Sequence, residues 1–229
     1  MRVRVTTTAL GITALAVLAL PACSTDANPT STSSSADSGK PAAADQAEAP
    51  LSSALLEERL LDETDLGSGY TRKPEQPAQH DDVTVLGCPA LNDLGGAAAT
   101  GGSLDFTRQA KATFTYNSGS SSEISEELYS DAPAKLSAGT SQIFDAMTGC
   151  PEYQVLVGDS AIDVTTQKVP VPPLGAERWS QLMTFSAGGR DTVVKQSAIR
   201  DGSVLVIVSG SPALVDRHID KALAKAADR

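Results

Sequence analysis

Beyond residue 50 the spacing of apolar positions switches between helical and extended periods, and the switches divide the chain into elements. Ser53–Asp62 (SALLEERLLD) puts Leu55, Leu56 and Leu60 on one side of a helix, with Glu57, Glu58 and Arg59 opposite. Gly67 and Gly69 predict a tight turn within Asp65–Tyr70, and the polar run Thr71–Asp82, with two prolines, predicts a loop. Val83–Leu86 reads as a short strand, Pro89–Leu94 as a helical turn and Gly95–Ser103 as a glycine and alanine loop. Ala112, Phe114 and Tyr116 alternate with polar residues in Ala110–Tyr116, the pattern of a half-buried strand. After a Gly119-Ser-Ser turn, Ser122–Tyr129 alternates Ile124 and Leu128 with polar positions, which predicts the second strand of a hairpin; its glutamates leave a helix as the competing reading.

The second half is patterned as clearly. Asp131 stands where an N-cap belongs and Pro133 in the first turn, so a helix is predicted to about Gly149, burying Leu136, Ile143, Phe144 and Met147. Gly139 in its middle marks close packing on a sheet. Tyr153–Val157, Ala161–Val169 and Arg178–Phe185 read as strands, with the rigid Pro170-Val-Pro-Pro173 connection before the last. Thr192–Ile199 and Val204–Val208 flank Asp201-Gly202, a strong hairpin signal. The unbroken aliphatic run Val204–Val208 predicts a central strand covered on both faces. A closing helix from Pro212 to about Ala227 carries Leu214, Val215, Ile219, Ala222 and Leu223 on one stripe. The expected fold class is α+β, a mainly antiparallel sheet packed with helices in one domain.

The first 50 residues follow different rules. Arg2 and Arg4 precede an uncharged, mostly apolar run, Thr6–Leu20, too short to cross a membrane comfortably. Positive start, apolar middle and small residue before the cut are the parts of a secretory signal peptide. Leu20-Pro21-Ala22-Cys23 resembles the bacterial lipobox; Leu20, Ala22 and Cys23 fit the pattern and Pro21 is the departure. The resemblance implies cleavage before Cys23 and acylation of its thiol. Two or three acyl chains suffice for stable anchoring. Ser24–Pro50 has no aromatic residue and no Leu, Ile, Val, Phe or Met, so it cannot bury enough apolar surface to fold. The expected division is a signal peptide over 1–22, lipidated Cys23 with a disordered linker to residue 50, and a domain over 51–229. The expected location is the outer face of the cell membrane.

Charge and cysteine narrow the reading. Three of the 18 Lys and Arg and four of the 28 Asp and Glu precede Leu51, which leaves the domain with 15 and 24 and a net charge of −9. That balance argues against a nucleic-acid surface, which needs basic patches. Cys88 and Cys150 are the remaining cysteines, and in an exported protein two cysteines are best read as one disulfide. A zinc site would need ligand spacing that His80 and His218 do not have.

The opening helix running into Asp65-Leu-Gly-Ser-Gly-Tyr70, the cysteines on either side of the strand–helix middle, the Asp201-Gly202 hairpin and the Ala-rich closing helix together resemble a known layout. It is that of lipoproteins of high-GC Gram-positive bacteria sharing a domain with the extracellular sensor of mycobacterial PknH-type kinases. Members of that family often carry two disulfides around a cleft, whereas this chain has cysteines for one. The resemblance implies ligand sensing or binding outside the cell and supplies no catalytic residue.

No motif for chemistry stands out. There is no Gly-x-Ser-x-Gly and no calcium loop, and Gly67-x-Gly69 lacks the strand and helix of a phosphate site. Asp81-Asp82 and Glu126-Glu127 are adjacent pairs read as solvated rather than as facing carboxylates. His218 is read as a boundary residue of the closing helix. Trp179 is read first as core; if a cleft exists, Tyr70, Arg178 and Trp179 are its expected lining. The sequence therefore predicts a monomeric, non-enzymatic binding or sensing domain without cofactor or metal. Its expected partners are the membrane, through the acyl chains, and an unidentified envelope ligand or protein. A carrier of lipid or another apolar ligand is the alternative.

Overall fold

The computed structural model describes residues 49–75, 83–95, 106–117 and 121–227. Cys23, the signal peptide, most of the linker, His80, Asp81-Asp82, nearly all of the Gly95–Ser103 loop and the tip of the first hairpin lie outside the described residues. In chain order the elements are α1 (Ser53–Arg59), α2 (Glu63–Leu66), β1 (Tyr70–Arg72), β2 (Val83–Leu86), α3 (Pro89–Asp93), β3 (Gln109–Asn117), β4 (Ser121–Ser130) and α4 (Pro133–Gly149), then β5 (Glu152–Val157), β6 (Ser160–Lys168), β7 (Glu177–Ala187), β8 (Arg190–Asp201), β9 (Val204–Gly210) and α5 (Pro212–Ala226). The strands form one sheet in the order β1-β3-β4-β9-β8-β7-β6-β5-β2, every pair antiparallel. The α+β class holds.

β9 sits inside the sheet and is covered on both faces, as its unbroken aliphatic run predicts. Val204, Val206 and Val208 pack with Leu56, Leu60 and Leu61, and with Val215, Ile219 and Ala222 of α5. Leu205 and Ile207 pack on the opposite face with Leu136 and Phe144 of α4. A second cluster on that opposite face joins Val85, Cys88 and Leu91 to Met147, Tyr153, Val155, Val164 and Met183. β1 and β2 are the two edges of the sheet, although only residues 73–82 part them in sequence.

Several expectations need correcting. The opening helix stops at Arg59, and a second short helix, α2, precedes the expected glycine turn, where Gly67 and Gly69 take φ of 93° and 91°. Asp62 caps α2 through a reciprocal capping box with Asp65, a signal overlooked because the glycines dominate the segment. Leu55, placed on the buried stripe, is 44% exposed, while Leu56 and Leu60 are buried. The predicted loop after Gly69 begins with a strand, Tyr70–Arg72, paired to Phe114–Tyr116. Ser122–Tyr129, by contrast, is the strand that its alternation predicts and not the competing helix. The N-cap of α4 is Ala132; Asp131 instead accepts from the Ala132 amide and pairs with Lys135. Gly139 packs on the Phe106 ring rather than on the sheet.

Candidate functional site

The residues expected to line one cleft are not brought together. Tyr70 belongs to the first strand of the sheet and Arg178 and Trp179 to β7, the sixth. Neighbouring residues of a strand point to opposite faces. Arg178 is exposed, on the face of Ser180, whereas Trp179 lies on the α4 face with its ring 6.4 Å from that of Phe144. Trp179 thus takes the packing role that was weighed first.

Tyr70 instead joins a cluster that sequence reading missed. Its ring stacks on Tyr116 at 4.5 Å, and its hydroxyl lies 2.7 Å from His218 Nε2. The Arg217 guanidinium lies 6.0 Å from the centroid of the Tyr116 ring. A neutral His218 imidazole completes the bond to Tyr70 as acceptor or as donor, according to its tautomer. Burial, then the charges of Arg217 and Lys221, hold its pKa below the ordinary value. His218 is buried rather than marking the boundary of α5. No spacing in the sequence links residues 148 positions apart, so only the pairing of β1 to the sheet reveals the contact.

The opposite edge offers a surface. Among the described residues, α1, α2 and α5 pack over β1, β3, β4, β9 and β8 and leave the same face of β7, β6, β5 and β2 without a helix. The register places Asp191, Ser186, Asp163, Gln154 and Leu86 in one row across this face. The next row holds Val193, Thr184, Thr165 and Glu152. Ser186 Oγ donates to Asp191 Oδ1 at 2.7 Å and Gln154 Nε2 to Asp163 Oδ1 at 2.9 Å, so the first row is a ladder of oriented polar groups. Leu86 and Val193 flank the floor at 44% and 47% exposure. Lys195, which is 9% exposed, reaches from β8 to Asp216 of α5 and closes the wall beside it.

The other face is closed by a covalent bond. Cys88 and Cys150 form a disulfide with Cα atoms 5.7 Å apart, joining the start of α3 to the end of α4. Among the described residues no group of three or more metal-ligating side chains occurs, and no helix is long and apolar enough to cross a membrane.

No family model and no curated protein matches this chain. Among solved structures, the extracellular domain of PknH from Mycobacterium tuberculosis matches 77% of this chain and 97% of that one, with a TM-score of 0.59 and 13% identity. A Mycobacterium smegmatis protein, the Rv0999 ortholog, matches over 76% and 94% with a TM-score of 0.40 and 10% identity. At 13% identity the PknH likeness is one of fold, and it is the layout that the opening helix, the cysteines and the closing helix imply.

Proposed function

We propose that this chain is an extracytoplasmic binding or sensing domain, held to the outer face of a cell membrane through acylated Cys23 and performing no chemistry of its own. The observation that carries this reading is the uncovered half of the sheet, where Asp163, Asp191, Gln154 and Ser186 are fixed by mutual hydrogen bonds on rigid strands. Such groups suit a ligand rich in hydroxyls, such as a wall saccharide; two carboxylates in one row disfavour an anion. The fold likeness to the extracellular domain of a kinase supports a role outside the cell. The space between sheet and helices is filled by side chains such as Leu56, Leu128, Val206 and Val215, all at 0% exposure, and an apolar cargo would have to displace them.

The test is a thermal-shift and calorimetric screen of the purified chain against soluble wall saccharides, with native mass spectrometry of the protein as isolated. A saccharide that raises the melting temperature, with Asp163→Asn and Asp191→Asn each abolishing the rise, is the expected result. Co-purified lipid would replace this reading with that of a carrier. Turnover in esterase, glycosidase or peptidase assays would overturn its non-enzymatic part.

A further inference from the structure

Glu126 was read from the sequence as one of a solvated pair, and it is 1% exposed. It lies on β4 within the apolar layer beneath α1 and α5, opposite Ala112 of β3 and Val208 of β9. Its Oε2 accepts from the Leu61 amide at 2.6 Å, while Oε1 has no partner. Leu61 sits in the short break between α1 and α2, where the backbone is extended at Leu60 and again at Asp62. A buried carboxylate with one donor is poorly compensated, because desolvation of a charge is costly unless several hydrogen bonds replace water.

The charged groups around it do not supply that compensation. Lys225 of α5 favours the carboxylate, but its ammonium is bound by Asp62 and Asp65. Arg72 of β1 favours it too, and Asp65 of α2 opposes it. Burial outweighs these and pushes the Glu126 pKa up from 4.5 to about 7.

We propose that Glu126 is a proton-binding site that governs how firmly the α1–α2 strap, Ser53–Leu66, is held against the sheet. With the proton bound, a neutral carboxyl group sits in the apolar layer and the strap is closed. When the proton leaves, the charge is relieved by letting water in where the strap breaks at Leu61. The strap is the first structured segment after the linker, so a change in external pH is converted into a change at the point where the tether joins the domain. This site is separate from the polar ladder, and either can fail without the other.

Opening the strap returns Glu126 to its ordinary value, so the opening equilibrium should rise on the order of 70-fold between pH 5 and pH 8 by linkage from the two pKa values. The experiment is hydrogen exchange by mass spectrometry on the full-length chain, with protection of residues 53–66 corrected for intrinsic rate. Protection should fall by that factor in the wild type and be independent of pH in Glu126→Gln. A pH-independent wild type, a Glu126→Gln chain that keeps the dependence, or an equal loss across β9 and α4 would each overturn the proposal. Carboxyl carbon NMR of Glu126 gives a readout that needs no variant: a midpoint near 7 supports the site and a midpoint in the ordinary glutamate range refutes it.

Discussion

The Tyr70 hydroxyl and His218 Nε2 are hydrogen-bonded at 2.7 Å, a contact that ties the edge strand β1 to the closing helix α5. Replacing Tyr70 by Phe leaves the packing of the ring and strips the buried imidazole nitrogen of its partner. Tyr70→Phe should lower the unfolding free energy by about 1–3 kcal/mol, the cost of a buried polar group left unpaired. Urea unfolding at pH 7.5 measures it.

His218 also fixes a sign for acid. Its folded pKa is lowered, so its contribution is present above the ordinary value of 6.5 and is lost as pH falls through the folded value. Glu126 acts oppositely: its contribution is full below 4.5 and lost as pH rises through about 7. Unfolding curves in a Glu126→Gln background should therefore show stability falling with acid below pH 6.5. Adding His218→Gln should flatten that fall.

Two glycines should respond differently to alanine. Gly210 ends β9 at φ 144°, and a Cβ there would lie 2.2 Å from the Glu123 carbonyl oxygen, which is backbone of the paired strand. Gly210→Ala should cost at least about 3 kcal/mol. At Gly139 the Cβ would meet the tip of the Phe106 ring at 2.9 Å, a side chain that can turn aside. The helix-propensity gain of about 1 kcal/mol offsets that contact, so Gly139→Ala should change stability by no more than ~1 kcal/mol. Thermal unfolding of the two variants side by side decides.

The disulfide spans 62 positions. A loop of that length gives a chain-entropy contribution of about 4 kcal/mol. The Cys88→Ala/Cys150→Ala variant should melt on the order of 10 °C lower, and alkylation of the denatured, unreduced wild type should label neither residue.

For the tether, Cys23→Ala should abolish partitioning into the detergent phase in the native host and leave either full-length precursor or released protein. A variant that stays on the membrane after high-salt washing, without precursor accumulating, would place the anchor elsewhere.

The strands and long helices could be read from the sequence where one face is wet and the other dry. Ala112, Phe114 and Ile124 declare β3 and β4 in this way, and the aliphatic run at Val204–Val208 declares a strand covered twice. What stayed hidden depends on distant partners. β1 is three residues long and is a strand only because Tyr70–Arg72 meets the β3 backbone. Glu126 occupies a position whose alternation marks it as inward, yet its charge argued for solvent and charge was given more weight. Tyr70 was singled out as a possible ligand contact on the strength of its type, and its true neighbours, Tyr116 and His218, are set by the fold alone.

The last strand of the chain lies between β4 and β8, which places a constraint on how the molecule is made. Until residues 204–210 emerge, the chain can form only two partial sheets, β1-β3-β4 and β8-β7-β6-β5-β2, each ending in a raw edge at the seam that β9 will fill. The second partial sheet is already complete enough to close the disulfide, because Cys88 follows β2 and Cys150 precedes β5, and those two strands pair within it. A chain emerging N-terminus first would thus hold a covalently locked half beside an unlocked one until residues 204–210 join them. Loss of β9 would therefore leave two unpaired strand edges facing solvent, the form in which sheets seek other chains.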